Sequence, residues 1–132
     1  MNPTCDVLVV DDETVVRAAV RRILESEGWS VGEAVDATEA LAHEGLAQCR
    51  LVLCDMMLPG WSGLELAREI RHRRPEVPIV MITGYATAEN ALRAIEAGAT
   101  AFLAKPFDVN ELLNQTRPIL EPTDERVKEE RP

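Results

Sequence analysis

The sequence predicts an α/β fold in which a doubly wound, five-stranded parallel sheet lies between two layers of helices, a three-layer α/β/α sandwich. Strand-like segments begin near residues 7, 30, 51, 78 and 101, and a helical pattern follows each of them. Three of these segments are continuous apolar runs, which is typical of strands buried on both faces. A length of 132 residues allows one domain with one core.

The first two helices have readable boundaries. Helix one is predicted from about Glu13 to Glu27, and Gly28 supplies its C-terminal stop. Its apolar stripe at helical spacing consists of Val16, Ala19, Val20, Ile23 and Leu24. Helix two is short, about Ala37 to Glu44, and Asp36 and Glu39 have the spacing of a capping box at its start.

The second strand differs from the others in composition. The segment from Trp29 to Ala34 mixes polar and small residues, so we place this strand at an edge of the sheet. A second capping box, Ser62 and Glu65, predicts the start of helix three, which covers about Gly63 to Arg73 and ends before Pro75.

The last two helices follow the fourth and fifth strands. Helix four is predicted from about Thr87 to Ala97 and is closed by Gly98. Helix five starts at Asp108, and it is expected to kink or end near Arg117 because Pro118 removes a backbone donor. Residues 1–121 are predicted to form the domain, and residues 122–132 a charged tail or a linker stub. The domain is therefore either a stand-alone protein or part of a longer one.

The composition excludes several classes of function. A net charge of −9 opposes nucleic-acid binding, which depends on Lys and Arg neutralising phosphates. No apolar run approaches the roughly 20 residues that cross a bilayer, and no secretory signal is readable. We therefore expect no binding to nucleic acid or membrane by this domain, and a cytoplasmic location. Cys5, Cys49 and Cys54 lack metal-ligand spacing and are interpreted as structural thiols.

Polar side chains follow four of the predicted strands, directly after the last apolar residue of each. In parallel strands these ends meet at one edge of the sheet, where open α/β folds place their sites. The groups expected to converge there are Asp11, Asp12, Asp55, Thr83, Gly84 and Lys105. They comprise three carboxylates, one hydroxyl, the backbone N–H of a conformationally free glycine and one ammonium group.

This set of groups can hold a divalent cation and a phosphoryl group. Asp55 is the candidate nucleophile, since a carboxylate is already ionised at neutral pH and needs no general base. Asp11, Asp12 and Asp55 together suit Mg²⁺, which prefers hard oxygen ligands. Lys105 can pair with a phosphoryl oxygen or, before phosphorylation, with Asp55. The Thr83 hydroxyl and the Gly84 N–H can donate to further phosphoryl oxygens.

These residues resemble the receiver domains of bacterial two-component response regulators. The resemblance covers about residues 5–121. Within the family, the sequence is similar to the receivers of nitrogen-regulation and nitrogen-fixation regulators. Its motifs are Asp11-Asp12, Asp55 followed by Met-Met-Leu-Pro-Gly, Thr83-Gly84 and Lys105-Pro106-Phe107. It implies a flavodoxin-like sheet of order 2-1-3-4-5, often with a cis bond before Pro106. It also implies that a sensor histidine kinase, or a histidine phosphotransfer protein, phosphorylates Asp55.

The resemblance also implies roles for individual residues. Asp12, Asp55 and the Met57 carbonyl would bind Mg²⁺ directly, and Asp11 largely through water. Thr83 would move toward the phosphoryl group while Phe102 turns inward, which would change the surface of helix four, strand five and helix five. That surface would contact a downstream effector domain or protein, and it could pair two copies on phosphorylation. The residues expected to dock the kinase are Val15, Ala18, Arg22, Pro106 and Phe107.

Two alternatives remain open at the level of sequence. One is an aspartyl-phosphate hydrolase of the haloacid dehalogenase type, although such enzymes generally carry two aspartates spaced two apart, whereas Asp11 and Asp12 are adjacent. The other is an unphosphorylated pseudo-receiver that acts only as an interaction module. Intact Asp12, Asp55, Thr83 and Lys105 argue against it. The favoured interpretation is a phosphorylatable signalling domain rather than an enzyme.

Overall fold

The strands of the protein form one parallel sheet. A computed structural model describes residues 5–121. The strands are β1 (Val7–Val10), β2 (Val31–Ala34), β3 (Leu51–Asp55), β4 (Ile79–Thr83) and β5 (Ala101–Ala104). Their order is β2-β1-β3-β4-β5 and every neighbouring pair is parallel, which confirms the predicted topology and the edge position of β2.

Five α-helices and one 3₁₀ helix connect and follow the strands. The α-helices are α1 (Thr14–Ser26), α2 (Ala37–Ala42), α3 (Gly63–Arg73), α4 (Ala88–Glu96) and α5 (Val109–Leu120), and the 3₁₀ helix covers Glu44–Ala47. Each capping box has both of its hydrogen bonds from a backbone N–H to a side-chain oxygen. One box lies at the start of α3, between Ser62 and Glu65, and the other at the start of α5, between Asp108 and Glu111. Local side-chain chemistry therefore sets where these two helices begin.

The sheet separates two clusters of buried apolar side chains, one against each layer of helices. Leu8, Val52 and Met81 point into the first cluster, while Val9, Leu53 and Ile82 point into the second. Their neighbours in sequence alternate between the clusters because successive strand side chains point to opposite faces. The predicted stripe of α1 is confirmed, with Val20 and Leu24 fully buried. The carboxyl ends of β1, β3, β4 and β5 are thus fixed side by side.

Helix five differs from its predicted boundary. It does not end near Arg117 but continues through Pro118 to Leu120. Pro118 removes the donor that would bond the Asn114 carbonyl, and both residues are exposed, so water can replace that hydrogen bond. Buried Leu120 anchors the last turn, and the Arg50 guanidinium donates to its carbonyl. Tertiary contacts thereby outweigh the local cost of proline.

The end of α2 also departs from expectation. The helix stops at Ala42, and a 3₁₀ turn follows, with His43 as its N-cap. The His43 Nδ1 accepts a hydrogen bond of 2.9 Å from the Gly45 N–H, so this half-buried histidine is structural rather than a free surface group. The three cysteines are buried and unbridged, as predicted. In the described part of the chain, the helices are too short or too polar to cross a membrane.

The predicted tail, residues 122–132, lies outside the described residues, so the division of the chain at residue 121 stays a prediction.

Candidate functional site

Three carboxylates meet at the carboxyl edge of the sheet. Asp11 follows β1 directly, Asp12 comes next, and Asp55 is the last residue of β3. One oxygen from each lies within 4.8 Å of the others. Asp11 is fully buried, Asp55 is 4% exposed, and Asp12 faces solvent. Parallel pairing of β1 with β3 brings these residues together across a long stretch of sequence.

The ammonium group of Lys105 lies among the carboxylates. Its Nζ is 3.0 Å from Asp55 Oδ2, 2.9 Å from Asp11 Oδ2 and 2.8 Å from Glu13 Oε1. Asp11 Oδ2 accepts no hydrogen bond, so this buried oxygen has the Lys105 charge close by but no hydrogen-bond donor. Burial by itself lowers the pKa of Lys105, yet its contacts with the three carboxylates raise that pKa well above the usual value.

Asp55 is held by one backbone and one side-chain donor. Its Oδ1 accepts from the Met57 N–H at 3.1 Å, and its Oδ2 accepts from Lys105. Burial raises the pKa of Asp55, and the nearby Asp11 charge adds to that rise, while the two donors oppose it. A cation bound at this cluster would give Asp11 Oδ2 the partner that it lacks, and three carboxylates with one unsatisfied buried oxygen fit the hard-oxygen preference of Mg²⁺.

The loop after Asp55 turns sharply into α3. The Gly63 N–H donates to the Met56 carbonyl at 2.8 Å, which brings the helix start against the strand end. A Cβ on Gly63 would lie 2.1 Å from the carbonyl oxygen of Asp55 and 2.7 Å from Met56 Cα. Glycine is therefore required by close backbone approach at the residue that carries the candidate nucleophile.

A solvent-open cavity of about 290 Å³ lies over the carboxylates. Its lining consists of Asp12, Glu13, Asp55, Met57, Gly84, Tyr85 and Lys105. A larger hollow of about 410 Å³ lies between the 3₁₀ helix and the end of α3, with Leu41, His43 and Arg73 in its wall, and contains none of the predicted site residues. Size alone would select the wrong cavity, whereas the grouping of carboxylates and ammonium identifies the chemically equipped one.

Comparison with known proteins assigns the chain to a family. The family model described as "Response regulator receiver domain" matches residues 7–117. The chain belongs to this family. It is 42% identical over 118 residues to the nitrogen assimilation regulatory protein NtrX of Azorhizobium caulinodans, covering 88% of this chain and 26% of that protein. It is 36% identical to the transcriptional regulatory protein ResD of Bacillus subtilis, covering 86% of this chain and 47% of that protein.

Solved receiver domains have the same architecture. The receiver domain of NtrX from Brucella abortus superposes with a TM-score of 0.81 at 42% identity, over 89% of this chain and 99% of that one. A CheY-like receiver domain from Methanospirillum hungatei gives a TM-score of 0.80 at 34% identity, over 91% and 96% of the two chains. The predicted flavodoxin-like receiver fold is confirmed, and the chain is similar to the receivers of nitrogen-regulation proteins such as NtrX, as the sequence indicated.

The chain is thus a phosphoacceptor receiver domain of the kind found in two-component response regulators. Receiver domains generally bind Mg²⁺ at an acidic pocket, and this one has a cluster of three aspartates at the carboxyl edge of its sheet. The chain spans about a quarter of the length of NtrX and about half that of ResD. Response regulators of this kind work with a histidine kinase and an effector.

The receiver domain places the other predicted residues around this edge of the sheet. Thr83 ends β4 and is 1% exposed, and its hydroxyl accepts from the Tyr85 N–H at 3.0 Å. It does not line the cavity, although Gly84 and Tyr85 do. Phe102 pairs in register with Met81 and is partly buried in the first core cluster. The Lys105–Pro106 bond is cis, as the resemblance implied.

The predicted docking residues of the receiver domain lie outside the cavity. Val15 is 81% exposed, and Ala18, Arg22 and Pro106 are also exposed. Phe107 is half-buried, because it packs against the second core cluster. The first three side chains are on α1, and the last two residues directly follow Lys105.

Two residues of the site were not predicted from the sequence. Glu13, expected only as the start of a helix, pairs with Lys105, and its sole signal was that it is the third acid in a row. Arg17 donates from Nη1 to the Asp11 carbonyl at 2.6 Å and from Nε to Glu33 at 2.9 Å. It thereby braces the loop that carries Asp11, and nothing in the local sequence indicated this contact.

Proposed function

We propose that Asp55 is the phosphoacceptor, and that it takes the phosphoryl group from a phosphohistidine of a sensor histidine kinase or a histidine phosphotransfer protein. The observation that carries this proposal is a single one: the buried Asp55 carboxylate lies 3.0 Å from an ammonium group and beside two further carboxylates at the base of an open cavity. A carboxylate oxygen attacks phosphorus, a P–O bond forms, and the P–N bond to the donor imidazole breaks.

The surrounding residues have distinct roles in this proposal. Asp12, Asp55 and the Met57 carbonyl would hold Mg²⁺ directly, with Asp11 acting largely through water. When bound, this cation neutralises charge on the transferring phosphoryl group. Lys105 supplies a second positive charge, and its contact with Asp55 also favours the ionised nucleophile.

Two further groups lie at the end of β4, next to the cavity wall formed by Gly84 and Tyr85. The Thr83 hydroxyl accepts from Tyr85 and can also donate, so it is suited to bind a phosphoryl oxygen. The exposed Gly84 offers its backbone N–H to another oxygen. The small shift that Thr83 would need opens space for Phe102, whose preference rests on packing because it has no hydroxyl.

The output of the switch is proposed to be the surface of α4, β5 and α5. This surface would contact an effector domain or protein, and it could form a homodimer in the phosphorylated state. Leu92 and Ile95 of α4 are 57% and 59% exposed, which supports a role in contact with another protein surface. We place these events in the cytoplasm, without nucleic-acid binding by this domain.

The first test is the intact mass of the protein after incubation with acetyl phosphate and Mg²⁺. We expect a gain of about 80 Da, one phosphoryl group, that is absent in Asp55→Asn and absent when EDTA removes the cation. A gain that persists in Asp55→Asn would contradict the assignment of the acceptor. Sustained turnover of small phosphate esters would contradict a signalling domain that catalyses only its own phosphorylation and dephosphorylation.

The docking role of Val15, Ala18, Arg22, Pro106 and Phe107 has a separate test. Ala18→Glu should slow phosphorylation by a sensor kinase about tenfold or more, because a charge is placed in a small apolar contact. Phosphorylation by acetyl phosphate, which needs no docking, should be unchanged. Ala42→Glu, at another exposed alanine, the last residue of α2, is the matched control. Equal kinase rates for both variants would remove Ala18 from the docking surface.

A further inference from the structure

The Lys105 ammonium group has more carboxylate partners than the acceptor site requires. Its Nζ donates hydrogen bonds to Glu13 and Asp55 and lies 2.9 Å from Asp11 Oδ2 in an ion pair, so three carboxylates surround a group that has three N–H donors. Two of these partners belong to the aspartate cluster, whereas Glu13 does not. A phosphoryl oxygen that approaches Lys105 from the cavity therefore competes with these carboxylates for the ammonium group.

The structure indicates which contact is released. The Asp11 and Asp55 side chains are 0% and 6% exposed, so breaking either contact would leave a buried charge uncompensated. The Glu13 side chain is 58% exposed, and water can solvate it at once after release. Glu13 also lines the cavity that the phosphoryl group must enter.

The side chain of Glu13 contacts Lys105 and does not cap helix α1. Glu13 is the N-cap residue of α1, yet its side chain makes no capping hydrogen bond. Its backbone N–H donates to Asp11 Oδ1 at 2.9 Å, which fixes the main chain beside the aspartate cluster. The carboxylate is therefore free of helix-capping duty and extends to Lys105, 92 residues away in the sequence.

We propose that Glu13 is a positioning residue that holds Lys105 at the rim of the cavity before phosphorylation and gives it up when the phosphoryl group arrives. This inference rests on the proposed function of Asp55 and adds a residue with an inhibitory role. Glu13 stabilises the unphosphorylated arrangement of Lys105. The energy of breaking the Glu13–Lys105 contact therefore reduces the stabilisation that Lys105 can give to the transition state. Removing the carboxylate should therefore accelerate phosphoryl transfer.

The test compares Glu13→Gln with wild type in single-turnover phosphorylation by acetyl phosphate, followed by intact mass. Each variant is assayed at Mg²⁺ saturation, established beforehand by titrating the fluorescence of Trp61, which lies in the loop between Asp55 and α3. Because the contact involves a half-exposed partner, we expect an acceleration of about two- to fivefold. Glu69→Gln removes another carboxylate that is paired with an arginine, Arg73 on α3, and should leave the rate unchanged.

A second comparison separates an effect through Lys105 from a general effect of charge. In a Lys105→Met background, Glu13→Gln should change the rate less than about 1.5-fold, since the contact no longer exists. An acceleration that persists there would show that Glu13 merely repels the anionic donor, and it would overturn the proposal. An unchanged rate for Glu13→Gln in the otherwise native protein would overturn it as well.

A direct readout does not depend on phosphorylation. The ¹³Cε and ¹⁵Nζ resonances of Lys105, recorded without Mg²⁺, should shift in Glu13→Gln and remain in place in Glu69→Gln. Resonances that are the same in Glu13→Gln and wild type would show that the contact is not populated in solution. If wild-type protein accepts no phosphoryl group at all, the role of Asp55 fails, and this inference fails with it; if only the Glu13 comparisons fail, the role of Asp55 stands.

Discussion

Replacing Lys105 with Met is expected to destabilise the cation-free domain by about 2 to 3 kcal/mol. The substitution leaves the fully buried Asp11 and the nearly buried Asp55 without a positive partner. The expected loss is at the lower end of the cost of breaking buried ion pairs, because Lys105 itself is 17% exposed. Urea unfolding in the presence of EDTA measures the change, and Lys105→Arg, which keeps the charge, is the control.

The loss should depend on pH in a defined direction. Burial already raises the pKa of Asp55, and Lys105 is one of the groups that oppose this rise, so the pKa should rise further in Lys105→Met. A carboxyl group with a raised pKa binds protons more tightly in the folded state than in the unfolded state. Stability of the variant should therefore increase as pH falls, and the deficit at about pH 7.5 should shrink near pH 5.

Mg²⁺ should compensate for the lost ammonium group. Lys105 and a divalent cation neutralise the same carboxylates, so we expect Lys105→Met to bind Mg²⁺ about tenfold more tightly and to gain more stability from it. A variant as stable as wild type in EDTA, with unchanged Mg²⁺ affinity, would show that Lys105 is not the main compensating charge of the cluster.

Replacing Gly63 with Ala is expected to lower the free energy of unfolding by about 3 kcal/mol, because the new Cβ would overlap the Asp55 carbonyl oxygen and Met56 Cα. Neither atom belongs to a flexible side chain, so the strand end and the start of α3 must move apart. Chemical denaturation measures the loss. Phosphorylation of the folded fraction should also slow, since the displaced backbone is that of Asp55.

The matched control for this substitution is Gly84→Ala, used for stability alone. A Cβ on Gly84 meets no atom within 4 Å, and the residue has no positive φ angle. Its stability should stay within about 0.5 kcal/mol of wild type. If Gly63→Ala were equally harmless, the close approach between α3 and β3 would not be a determinant of the fold.

Much of the fold was predictable because its determinants are local. Apolar runs marked the buried strands, and Ser62 and Asp108 marked helix starts through side-chain hydrogen bonds to residues three positions later. The end of α5 was not predictable in this way. Pro118 gives a correct local signal for a break, but Leu120 packs in the core and Arg50, from a distant part of the chain, binds the last turn.

In the candidate site, too, some features could be predicted from the sequence and others could not. Asp11, Asp55 and Lys105 could be grouped from the sequence because each follows a strand, and the carboxyl ends of parallel strands share one edge. The contacts of Glu13 and Arg17 could not be found, since they depend on the direction of long side chains across that edge. Sequence periodicity reports which face of an element a residue occupies, but not the atom that its flexible end will reach.

The unequal anchoring of the helices has a thermodynamic consequence. Helix α4 has one buried residue, Ala94, whereas α3 and α5 have four each. Since the free energy of local opening grows with the apolar surface that opening exposes, α4 should detach from the sheet at lower cost than its neighbours and populate displaced conformers more often. A small difference in interaction energy can therefore change the average position of α4 more easily than that of α3 or α5.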